Sequence, residues 1–294
     1  MLASLLACGV LVTPLATATP LPPWPNPLPG SSFQGGDGNQ DELEPPPIDW
    51  QALQAAGRVH HSTDPNAQDG AFVGGSKENV PGQWDFENDP GGVDPRKDNI
   101  FDAWSTFDPQ GSQAFLYLGF SREGVIGTTF ATFELNHDAR QWNNGLATIP
   151  CRRTGDVLVS YEAQGRNVDV VVQRWTTMLT DAATGCAKTG TLADFTSFVP
   201  NVDAQGAINE GDIVSYLPGF YGSAIPSLAF GEAALNVGRL LGDGPNDPCV
   251  SFGSFWMHTR ASRARLPRED SSNLEDYVEP RDSFRSSASW RVWR

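Results

Sequence analysis

From Gln113 to Leu135 the chain reads QAFLYLGFSREGVIGTTFATFEL, with large apolar residues set at alternate positions. Ala114, Leu116, Leu118 and Phe120 fall on one face of the first half, and Phe115 and Tyr117 on the other. In the second half Thr129, Ala131, Phe133 and Leu135 alternate with Thr128, Phe130, Thr132 and Glu134. A period of two, rich in aromatic and β-branched residues, predicts two strands joined by a short turn. Apolar groups on both faces place this pair mid-sheet, beneath a second layer. Each such side chain is worth roughly 1.5–3 kcal/mol when fully buried, so the rest of the fold is expected to organise around it.

The same pattern predicts strands at Asp156–Ala163 and Asn167–Trp175, with Gly165-Arg166 as a hairpin turn. Weaker strands are expected at Asp212–Tyr216 and Val250–His258, and a last edge strand at Leu274–Val278. Asp49 reads as a helix N-cap before WQALQAAG, with Gly57 as the stop and Trp50 and Leu53 on one face. Leu228–Leu241, containing EAALNVGRLL, carries Ala234, Val237 and Leu241 on one helical stripe. Asp64–Asp108 reads mostly as loop. Together these give an all-β fold, an antiparallel β-sandwich of jelly-roll type with one or two short helices.

Composition sets the boundaries. Residues 1–19 read as a secretion signal, with an apolar run at Leu2–Val12, Ala16-Thr17-Ala18 as the cleavage site and no Lys or Arg before the run. Leu5-Leu6-Ala7-Cys8 is a rival lipid-attachment reading. Residues 20–47, rich in Pro, Gly and acids, read as a disordered or extended linker. The sandwich is assigned to 48–280 and a disordered tail to 281–294. The net charge is −15, and the lysines are Lys77, Lys97 and Lys188. That acidity argues against nucleic acid and against an anionic membrane. The segment from His258 onward holds eight Arg against six acids, a balance of +2, so the body before it carries −17. A basic tail on an acidic body predicts salt-dependent self-association. Cys151, Cys186 and Cys249 would remain after signal removal, and an exported protein should pair two of them. The expected pair is Cys186–Cys249, with Cys151 free or buried.

Several groups could carry chemistry. Lys77, Glu78, Asp98, Arg122 and Glu232 sit beside or within apolar sequence, where charges pair with one another. They predict an ionic cluster that fixes the 74–78 loop to the sheet, or else a polar site at one end of the sandwich. Asp85, Glu87 and Asp89 lie in an acid-rich loop of the kind that binds Ca²⁺, but Pro90 occupies the position where an EF-hand needs Gly. Ca²⁺ is the one cofactor the sequence suggests. Glu134 and Glu162, on predicted strands, are the catalytic candidates, since two carboxylates roughly 5–9 Å apart hydrolyse glycosides. Catalytic signatures such as GxSxG, HExxH and a P-loop are absent. Trp142, in the polar loop ARQWNNG, and with it Trp84 and Trp104, could stack on sugar rings.

FVGGSKE (72–78), Trp84, KDNI (97–100), FLYLGFSR (115–122), FELN (133–136), TGDVLV (154–159), Arg174-Trp175 and FGEAALN (230–236) follow in that order. This order resembles a family of exported bacterial surface proteins of undefined activity, in which the unit often precedes prealbumin-like or adhesin-type β-domains. It is more distantly similar to jelly-roll carbohydrate-binding and DOMON-like domains. The resemblance implies a secreted or cell-surface, non-catalytic module for adhesion or display, whose partners are surface glycans or other extracellular proteins. The alternatives are a carbohydrate-binding module using loop tryptophans, and a glycoside hydrolase.

Overall fold

The alternation at 113–135 becomes two strands, but they do not pair with each other. In a computed structural model, β5 (Gln113–Arg122) and β6 (Thr129–Asn136) belong to different sheets. The structure describes residues 27–41, 48–64, 70–73, 76–88, 96–110, 113–123, 127–196, 198–241, 251–260, 274–278 and 290–291. One sheet runs in the order β1 (His60–Thr63), β4 (Ile100–Gln110), β5, β15 (Phe230–Asn236), β12 (Ala204–Ile208). The other runs β11 (Ala187–Asp194), β10 (Asn167–Thr180), β9 (Val157–Gln164), β6, β17 (Ser254–Arg260), β18 (Leu274–Val278), β2 (Gly70–Phe72), β3 (Phe86–Asn88). All pairings between these strands are antiparallel. β6, β9 and β10 form a meander and β17 returns beside β6, a Greek-key order.

Leu118 and Phe120 of β5, Phe133 and Leu135 of β6, Val159 and Tyr161 of β9, and Leu235 of β15 fill the space between the sheets. The opposite face of the smaller sheet is also apolar. Trp104, Phe115, Tyr117 and Phe230 lie there in a second core under Leu28, Phe33, Trp50 and Leu217. This is why β5 carries large side chains on both faces.

The Gly165-Arg166 turn closes β9 and β10 with Gln164 opposite Asn167, and Gly165 takes φ 61°, which suits a two-residue loop with Gly first. Helix α1 (Trp50–Ala55) has the expected cap, with Trp50 N donating to Asp49 Oδ1 at 2.6 Å, and it buries Trp50 and Leu53. The helix expected over 228–241 is instead strand β15 followed by one turn, α2 (Val237–Leu240). Residues 230–236 are buried on both faces, so apolar spacing there carried no strand period. β4 runs through the stretch read as loop, and β18 lies between β17 and β2, not at an edge.

Residues 27–41 are no linker: Leu28, Phe33 and Gln40 are buried. In the tail, β19 (Trp290–Arg291) pairs with β16 (Ser251–Phe252), so disorder after Pro280 does not hold there. The signal segment, Cys8, Asp89 and Cys249 fall outside the described residues. No helix among the described residues is long and apolar enough to cross a membrane.

Candidate functional site

The charged residues singled out above divide among three places. The largest is on the outer face of the eight-stranded sheet. Glu134 of β6 points outward there, opposite Trp256 of β17 and Leu158 of β9. Arg152, just after β8 (Thr148–Pro150), clasps it through Nε at 2.7 Å and Nη2 at 2.6 Å. Nη2 also donates to Glu78 Oε1, and Nη1 donates to the Glu78 carbonyl at 2.7 Å. The other Glu78 oxygen meets His258 Nε2 at 2.7 Å. The Arg152 guanidinium lies 4.5 Å from the Trp84 ring centroid and 4.8 Å from that of Trp175. Arg152 and Glu134 are wholly buried and Glu78 and His258 nearly so. Burial opposes ionisation of Glu78, yet the charges of His258 and Arg152 hold it far below the usual carboxylate range. Arg152 is correspondingly held above the usual arginine range despite burial, by Glu134 and Glu78. This is an ionic latch that fastens the 76–86 segment over the sheet. Buried charges survive only when paired and hydrogen-bonded in this way.

The disulfide lies beside the latch. Cys151 bonds Cys186, within a small cluster containing Phe72, Trp84, Trp142 and Ile149. The expected Cys186–Cys249 pair is therefore replaced. The cause is local: Ala187 N donates to Arg152 O at 3.0 Å, which brings the start of β11 against the residue after Cys151.

Glu232 sits elsewhere, on the outer face of the smaller sheet, opposite Gly119 in β5. Trp50 occupies the space that a Cβ on Gly119 would contest, and its Nε1 donates to Glu232 Oε2 at 2.9 Å. Gly38 N and Asp37 N donate to Oε1 at 2.7 and 3.2 Å. Phe33 stacks on Tyr117 with centroids 4.0 Å apart, and Gln40 Oε1 accepts from Tyr216 N and Leu217 N. Residues 27–41 thus form a strap sewn to the sheet. Burial pushes Glu232 well above the usual carboxylate range, and the carboxylates of Asp37 and Asp49 push it further. Burial likewise raises Asp37 to about 6. Burial, and after it the Glu232 charge, pushes the hydroxyl of Tyr161, from the opposite sheet, well above the usual tyrosine range.

Asp37 of the strap and Glu232 beneath it both have raised folded values. Their stabilising effect is complete below the unfolded carboxylate range, near pH 4, and is lost as pH rises through about 6 and beyond. Amide hydrogen exchange at Gly38 is expected to accelerate, beyond its intrinsic pH trend, between pH 5 and 8. Asp37→Asn should flatten that excess. Equal excess in wild type and variant would refute the assignment.

Asp98 forms a third place, with Lys97 Nζ at 3.0 Å, while Arg122 Nη1 donates to the Lys97 carbonyl at 2.8 Å. The single cluster of Lys77, Glu78, Asp98, Arg122 and Glu232 therefore does not exist as one unit. Its members were inferred from apolar neighbours, which do not report which sheet or face a residue joins. Lys77 contributes its carbonyl, which accepts from Trp84 Nε1 at 2.7 Å.

The tryptophans proposed as sugar platforms are covered: Trp84 and Trp104 are 1% exposed and Trp142 6%. Asn144, in the ARQWNNG loop, donates to the carbonyls of Pro81 and Trp84, and Trp142 packs in the small cluster with Trp84 and Ile149. Glu134 and Glu162 both face outward on neighbouring strands. Their positions are four residues apart in register, about 13 Å at roughly 3.3 Å per residue, beyond glycosidase spacing. Among the described residues no group of three or more His, Cys, Asp or Glu is placed to hold a metal. Asp85 belongs to no such group, and the side chain of Glu87, like Asp89, falls outside what the structure describes.

Sequence reasoning missed Arg152 and His258. Arg152 is followed by Arg153, which is half-exposed and pairs with Asp138, and nothing in CRRTGD distinguishes the two. It also missed Asp102, which is wholly buried. Asp102 accepts from His61 Nε2 at 2.8 Å, Ser121 Oγ at 2.6 Å and Phe220 N at 3.0 Å. Comparison of the chain with protein-family models, with curated proteins and with solved structures finds no match to any of them.

Proposed function

We propose that this chain is an exported β-sandwich module that acts by contact, in adhesion or display at or beyond the cell surface. The carrying observation is the latch: Glu134, one of the two carboxylates the sequence offers for turnover, is wholly buried and held by two hydrogen bonds from Arg152. A carboxylate so held fastens a layer; it does not meet a substrate. The Cys151–Cys186 disulfide suits an oxidising compartment. The resemblance of the motif order to exported surface proteins supports the same reading.

The test couples the oxidised chain to beads and presents it with arrayed glycans and extracellular matrix proteins, while chromogenic glycosides are assayed in parallel. Retention on at least one immobilised surface without turnover is the expected result. Hydrolysis that disappears in Glu134→Gln would overturn the reading, as would the absence of retention on every surface.

A further inference from the structure

The loop tryptophans are covered, but among the described residues one large aromatic ring is not. The other large hydrophobic side chains exposed in the described residues are Leu146, Met178, Leu179, Val199 and Val214. Phe220 is the aromatic one, 54% exposed. Its position is built. The ring stacks on buried Phe101 with centroids 3.9 Å apart and 26° between planes, so one face is backed. Tyr221 meets it edge-on at 5.3 Å and is itself fixed by its hydroxyl, which donates to the Arg122 carbonyl at 2.8 Å. The backbone beneath is fixed by Phe220 N on Asp102 Oδ2 and by Trp104 Nε1 donating to Pro218 O at 3.0 Å. Gly219 is required at this approach, because a Cβ there would overlap the Asp102 carboxylate.

The same carboxylate places a second group. Asp102 Oδ1 lies 2.8 Å from His61 Nε2, and the neutral tautomer that donates its Nε2–H there has Nδ1 as an acceptor. The His61 ring stacks on Trp104, with centroids 5.6 Å apart, and its side chain is 21% exposed. Among the described residues, no partner for Nδ1 is found. A rigid aromatic face and an oriented hydrogen-bond acceptor are thus each one hydrogen bond from one buried carboxylate.

We infer that Phe220 and His61 form a subsite for a neutral hexopyranose, the C–H face of the sugar lying on the Phe220 ring and a hydroxyl donating to His61 Nδ1. Flat apolar C–H faces pack on aromatic rings, and ring hydroxyls seek oriented acceptors. The acidic chain, at −15, disfavours sulfated or carboxylated sugars at this site. The inference rests on the contact-module reading and names a ligand class for it.

Saturation-transfer NMR on the full oxidised chain tests it, with lactose, cellobiose and mannobiose as probes and a heparin disaccharide as the anionic contrast. Transfer to the axial C–H protons of at least one neutral disaccharide is expected, with none to the heparin unit. Phe220→Ala should weaken binding at least tenfold and Phe220→Tyr should retain it. His61→Phe should weaken it about tenfold, the loss of roughly one hydrogen bond. Thermal melts of the variants confirm that each still folds. Undiminished transfer in a folded Phe220→Ala, stronger transfer to the heparin unit, or none to the three neutral sugars overturns the subsite. If beads still capture matrix proteins in the last case, the subsite fails and the module reading stands.

Discussion

Arg152→Met is expected to destabilise the protein by about 3–5 kcal/mol, the range for removing one partner of a buried ion pair. For a domain of this size that lowers the melting midpoint by roughly 10–15 °C. Methionine fills much of the space between the aromatics, so the loss is chiefly electrostatic. Two buried carboxylates, Glu134 and Glu78, lose their cation at once. The triple change Arg152→Met, Glu78→Gln, Glu134→Gln should recover much of the loss, because neutral amides need no counter-charge. The pH signature separates this latch from the strap. Glu78 has a depressed folded value, so its stabilisation is present above the unfolded carboxylate range and is lost only in strong acid. The single variant should instead gain stability relative to wild type on acidification, as its stranded carboxylates take protons. Urea unfolding of the three proteins at pH 5 and 8 measures this. A loss under about 1 kcal/mol for the single variant would mean the latch carries no weight.

Removing the disulfide should cost nearly as much. Cys151 and Cys186 are 35 residues apart, which in the chain-entropy model corresponds to about 4 kcal/mol. Both cysteines are buried beside Trp84 and Trp142, so the double change Cys151→Ala, Cys186→Ala also thins that small core. Melting of the oxidised wild type and the double variant should differ by roughly 10 °C. A tryptic map without reduction is expected to return the peptides holding Cys151 and Cys186 as one linked species. A linked Cys186–Cys249 species would reverse the assignment. Because the bridge anchors the covering layer next to the latch, the two variants should be non-additive. The combined variant should lose less than the two separate losses together, since a layer already released has little more to lose.

Local pattern made much of this molecule legible. Alternation located β5, β6, β9 and most of β10, and Asp49 with Gly57 located α1 at both ends. Those are contacts within a few residues, where side-chain period and capping chemistry act directly. The failures share one cause. FGEAALN is buried on both faces of β15, so its apolar residues carried no period and the helical spacing of Ala234 and Val237 misled. Residues 27–41 look like linker by composition, yet Phe33 and Gln40 are held by partners more than 80 residues away in the chain. Trp142 stands among polar neighbours in sequence and is buried in the small cluster beside Trp84 and the disulfide.

Sequence alone determined that this chain builds antiparallel β layers around apolar strands, because side-chain period is a property of neighbours along the chain. It also determined that charges embedded in apolar stretches must find partners. Only the tertiary structure decided which partners: Arg152 for Glu134 and Glu78, the strap for Glu232, and His61 with Phe220 for Asp102. Pairing energy depends on distance and burial in space, and no separation along the chain encodes either one.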